Sequence, residues 1–148
     1  MTMQDAIKAM DRAKIELMSK PDTVFFITIC FALRQLWDAT IQTACTNGKC
    51  IKYNPAFFLF FILEERVFLV LHETLHVAFM HMCRLKGRNP QKWNMAADYV
   101  INDLLILRGF KMPSGVLHDL QYRGMSVEQV YDLIPDSQVP EDFDIDLD

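Results

Sequence analysis

The chain has 148 residues, 51% of them hydrophobic and 23% charged, with 15 Lys and Arg against 19 Asp and Glu for a net charge of −4. That is enough for one globular domain with a sizeable core. The acidic balance argues against a protein that tracks phosphates along a nucleic acid, which needs a basic stripe, and no nucleic-acid partner is expected.

Residues 3–19 carry Ala6, Ile7, Met10, Ala13, Ile15, Leu17 and Met18 at helical spacing, and Pro21 and Asp22 end the helix this predicts. The start has no apolar leader core. The apolar runs at 24–33 and 57–63 fall short of the ~20 residues a spanning helix needs. Both are expected to be buried core, in a cytoplasmic chain with no membrane partner. In such a reducing compartment the four cysteines, Cys30, Cys45, Cys50 and Cys83, are expected to be thiols.

Residues 23–33 (TVFFITICFAL) are rich in β-branched and aromatic side chains and read as a buried strand, with a helix as the alternative. Residues 40–54 (TIQTACTNGKCIKYN) read as a β-hairpin turning at Asn47-Gly48. A type I′ turn there sets Cys45 opposite Cys50, so an oxidising setting could bond them. A long helix is predicted from about residue 64 to 85, with Gly87, Asn89 and Pro90 breaking the chain after it. A second helix is predicted over about 93–107, closed by Gly109. A loop with Pro113, Gly115 and Gly124 follows, and Ser126 caps a short helix that ends before Pro135. Trp37, Trp93 and the phenylalanines at 57, 58, 60 and 61 read as core. The domain is expected to span 1–135, with 136–148 an acidic, disordered tail.

Residues 72–76 are His-Glu-Thr-Leu-His, inside an apolar helical stretch. Side chains four apart share a helix face, so His72 and His76 can converge on one metal ion. Glu73 lies about a quarter turn away, where it can take a proton from water activated on zinc. Two histidines and a glutamate in such a run would otherwise face a desolvation cost without a partner. A catalytic zinc wants a third protein ligand. Asp98, 22 residues after His76 on the second helix, is the leading candidate, and Asn102 one turn on could orient a ligating histidine. His81 and Asp103 remain open as third ligands. His81 lies ~140° round a regular helix from His76, so the helix would have to break between them. His118 and Tyr122 are loop residues that could donate to an oxyanion.

HETLHVAFMH, KWNMAADYVINDLL and YRGMSVEQVYDLIP, preceded by TACTNGKCIKYNP, resemble the bacterial and phage metallopeptidase-like domain usually joined to a von Willebrand factor A-like module. The resemblance covers most of residues 20–135. It implies an α+β, zincin-like domain: a small mixed sheet or hairpin, an HExxH helix and a second ligand-bearing helix. It also implies a Zn2+ cofactor, a peptide or protein substrate held by strand addition along the hairpin edge, and an A-like partner module. Two departures stand out. The acid is Asp98 where the gluzincin arrangement has Glu, and no A-type module follows within these 148 residues. The expected function is therefore a zinc metallopeptidase in which His72, His76 and Asp98 hold the metal and Glu73 is the general base. The alternatives are a non-catalytic metal-binding or interaction module, and a metal-dependent hydrolase of another substrate such as RNA.

Overall fold

The computed structural model describes residues 2–21 and 23–140. Helix α1 (Met3–Met18) begins at a capping box: Thr2 Oγ1 accepts from the Asp5 amide, and Asp5 accepts from the Thr2 amide. Ala6, Ala9, Met10, Ala13 and Leu17 form its buried stripe, at the helical spacing the sequence shows.

Residues 23–33 are not a strand. Helix α2 (Val24–Ala32) buries Phe26 and Cys30, four apart on one face, and leaves Val24 75% and Phe25 64% exposed. The composition favoured a strand, yet an apolar run this short carries no decisive period. Packing of one helical face on the neighbouring helices decides the outcome, and the run is only half buried.

Strands β1 (Arg34–Trp37), β2 (Ala44–Thr46) and β3 (Cys50–Tyr53) form a mixed sheet in the order β1-β3-β2. β1 runs parallel to β3, and β2 pairs with β3 antiparallel as an edge strand. The hairpin register differs from expectation, for Cys45 lies opposite Lys52 rather than Cys50. The Asn47 side chain accepts from the Lys49 and Cys50 amides, so the chain reverses over Gly48 and Lys49. Gly48 sits at φ +90°, and a Cβ there would stand 3.1 Å from Met82 Cε. Among the described residues no disulfide joins Cys30, Cys45, Cys50 or Cys83.

Helix α3 (Pro55–Phe60) starts with Pro55 in its first turn and Asn54 accepting from the Phe57 amide. Of the expected aromatic core here, Phe58 is fully buried, whereas Phe60 is 79% exposed. Trp37 packs partly buried on the main core, and Trp93 is buried in a second one.

Helix α4 (Leu63–Ala78) is the central element, packed by α1 and α2 on one side and by α6 on the other. Every residue from 67 to 76 is buried, which is why its sequence is apolar on all faces. The long helix expected to reach residue 85 stops short. Met80 takes a left-handed conformation, φ +56°, and a separate turn, α5 (His81–Arg84), follows. Helix α6 (Pro90–Leu107) opens three residues earlier than expected, because Asn89 caps it and Pro90 occupies its first turn. Helix α7 (Val127–Leu133) starts at a Ser126–Gln129 capping box and packs on α6. Residues 136–138 form a 3-10 turn, and 141–148 of the expected acidic tail lie outside the described residues. Among the described residues no helix is long and apolar enough to cross a membrane.

Candidate metal centre

Helices α4 and α6 pack face to face, and their contact places three donor atoms at the corners of a near-equilateral triangle. His72 Nε2 and His76 Nε2 are 3.2 Å apart. Asp98 Oδ1 lies 3.1 Å from each of them. Donors around a tetrahedral zinc are separated by ~3.3 Å, given metal–donor distances near 2 Å, so the triangle has the right size. Two imidazole nitrogens and one carboxylate oxygen are also a donor set that suits this ion.

The protonation of His72 is fixed by its neighbours. Asn102 Nδ2 donates to the Leu117 carbonyl at 2.7 Å, which turns Asn102 Oδ1 toward His72 Nδ1, 2.8 Å away. The amide oxygen can only accept, so His72 Nδ1 carries the proton and Nε2 presents its lone pair to the triangle. This is the tautomer a metal ligand needs.

His76 is backed by a second imidazole. His81 Nδ1 stands 3.0 Å from His76 Nδ1. Burial, reinforced by charge on His76 and Arg84, drives the His81 pKa down to about 3, so this ring is neutral. A neutral His81 can accept from His76 Nδ1, which leaves the lone pair of His76 on Nε2. The break at Met80 brings His81 there, and Trp93 Nε1 fastens it by donating to the His81 carbonyl at 2.7 Å. His81 therefore supports His76 from behind and is not a corner of the triangle.

Asp98 is buried, which favours its neutral acid. With a proton on Nε2 instead, the charge of His72 and hydrogen bonds from His72 and His76 would oppose that and hold the carboxyl below the ordinary carboxylate range; a cation in the triangle would act in the same sense on rings that turn their lone pairs to it. Asp103 points elsewhere. It accepts from Arg123 Nη2 at 2.7 Å and lies 2.9 Å from His118 Nε2. Tyr122 is buried against Tyr99, with ring centroids 4.9 Å apart.

Two cavities flank the triangle. One of about 470 Å3 is bordered by His72, Glu73 and Asp98. The other, of about 330 Å3, is bordered by His76 and His81. The edge strand passes both, with Thr43 and Ala44 at the first and Cys45 and Thr46 at the second. Glu73 is 3% exposed, and its charge adds to burial in pushing the Tyr53 phenol well above its usual value. The contributions of Leu117 and of the 114–117 segment went unforeseen in the sequence, where these residues carry no pattern beyond a loop glycine.

No curated protein and no solved structure matches the chain. A family model described as "Putative metallopeptidase domain" matches residues 7–144. The chain, with its His72–His76–Asp98 cluster inside that span, belongs to this metallopeptidase domain family.

Proposed function

We propose that the chain is a zinc-dependent metallopeptidase of zincin-like design that hydrolyses peptide bonds, with His72, His76 and Asp98 as metal ligands and Glu73 as general base. The observation that carries this is the donor triangle, its edges 3.1–3.2 Å and the His72 lone pair turned into it by Asn102. When bound, zinc supplies Lewis-acid polarisation of the substrate carbonyl and makes water acidic enough to lose a proton near neutral pH.

The chain's own residues do the rest. Glu73 borders the same cavity as His72 and Asp98, so its carboxylate can take the proton of the attacking water and return it to the departing amine. Asn102 holds the His72 ring in one orientation, and His81 does the same for His76. The free edge of β2 runs along both cavities and offers backbone groups to an extended peptide. His81 is used up behind His76, so none of the three histidines here closes the site as a purely structural one. The resemblance adds one further proposal, a von Willebrand factor A-like partner module, and we also propose a cytoplasmic setting.

Metal analysis combined with Glu73→Gln is the test. Stoichiometric zinc in both proteins, with peptide hydrolysis in the wild type reduced ~100-fold or more in Glu73→Gln, is expected. Full hydrolysis by zinc-loaded Glu73→Gln would overturn the assignment.

A further inference from the structure

The cavity beside Glu73 has walls of distinct chemistry. Among the described residues that line it, the ionisable ones are His72, Glu73 and Asp98, all three in the proposed centre. The remaining wall is dominated by Phe57, Phe61, Phe68, Leu69, Met95 and Leu117. Phe57 and Phe61 lie one helical turn apart, and their rings meet edge to face at 5.0 Å and 76°. Phe68 stacks on the His72 ring, with centroids 6.4 Å apart and planes 24° from parallel. Helix α3 and Phe61 just after it thus present two half-buried rings to the cavity, whereas Phe60 at the end of the helix is exposed and lines neither of the two cavities.

A volume of about 470 Å3 is ample for a large side chain. A lysine or arginine entering it would leave water for a wall without a dedicated acidic partner, since both carboxylates belong to the centre. An aspartate or glutamate would meet Glu73 and Asp98 with no lysine or arginine among the described residues of the wall. An aromatic ring matches what is there, because edge-to-face and offset contacts add to the area it buries.

Resting on the hydrolase reading above, we propose that this cavity is an aromatic-selective subsite: the substrate class is an extended peptide that places a Phe, Tyr or Trp side chain against Phe57 and Phe61, next to the bond that is cut. Ser114 and Gly115 of the loop line the same cavity.

The test has a cleavage arm and a binding arm. In the first, zinc-loaded protein is offered a peptide library and the cut positions are read by mass spectrometry. Aromatic residues enriched at one position flanking the cut are expected. Phe57→Ala and Phe61→Ala should each reduce that preference about five- to tenfold, while Phe60→Ala leaves it unchanged. Cleavage without aromatic preference overturns the subsite and leaves the hydrolase reading standing. In the binding arm, calorimetry compares a benzyl-bearing hydroxamate with acetohydroxamate on the zinc-loaded protein. The benzyl compound should bind at least tenfold tighter, and Phe61→Ala should remove most of that gain. If no peptide is cut, the hydrolase reading falls, and equal affinity of the two hydroxamates then removes the subsite as well. A cavity that keeps its benzyl preference shows the subsite to be real on a protein that does not hydrolyse.

Discussion

Asn102 and His72 meet at 2.8 Å across the α4–α6 contact, and the far end of the same amide is held by the Leu117 carbonyl at 2.7 Å. One side chain therefore ties the orientation of a proposed metal ligand to the loop that walls the cavity. Asn102→Ala should weaken zinc binding ~10–100-fold without abolishing it, as loss of an orienting partner does. Titration against a competing chelator measures this. His72→Ala, His76→Ala and Asp98→Ala should instead lose stoichiometric metal. Zinc retained at wild-type affinity in Asp98→Ala would remove Asp98 from the triangle.

Zinc that binds only the folded chain stabilises it by mass action, ~2.7 kcal/mol when free zinc is a hundredfold above its dissociation constant. For a chain of this length that corresponds to roughly 5–10 °C in the thermal midpoint. Melting with zinc and with excess chelator should show this gap, and the gap should vanish in His76→Ala.

The Asp103–Arg123 pair gives a pH prediction. The hydrogen bond from Arg123 lowers the Asp103 pKa, burial opposes it, and His118 adds to the lowering. The folded chain then binds fewer protons at Asp103 than the unfolded chain does, so stability rises with pH across this window. The contribution is fully present above the unfolded value of ~3.9 and is lost as pH falls through the lower folded value. In chelated protein, the midpoint of the wild type should fall more steeply as pH drops below about 5 and through the carboxylate range than that of Arg123→Met. Parallel acid limbs would show that the pair contributes nothing.

Met80 is 59% exposed and holds φ +56°, a conformation that costs an ordinary residue ~1–2 kcal/mol. Met80→Gly should raise the midpoint slightly, since relief of strain exceeds the ~0.5–1 kcal/mol that glycine adds in unfolded-chain entropy. Met80→Val should lower it, because a β-branched side chain fits this region worst. Denaturant melts of both variants give the two signs directly.

The centre was legible in the sequence because helical spacing is a strong constraint. His72 and His76 could share a face only if 63–78 was a helix, and the apolar residues on every side of it required burial. Asp98 followed from ligand chemistry and the return of the chain after Pro90. Strand β1 was not legible, since its partner β3 arrives only after the loop and hairpin, and four residues RQLW show no alternation. Helix α2 was masked by its β-branched composition. The hairpin slipped by a register because Asn47 uses its side chain to cap the turn and does not occupy the turn's centre. The break after α4 has no glycine or proline to announce it. It exists because the burial of His81 and its carbonyl bond to Trp93 outweigh the local strain at Met80.

That break has a consequence for how the chain can vary in length. A continuous helix would swing His81 to another face, so the number of residues from His76 to His81 sets the phase at which the third ring arrives. An insertion or deletion of one residue in this stretch, although Phe79 and Met80 are exposed, would act on the proposed metal site rather than on the surface.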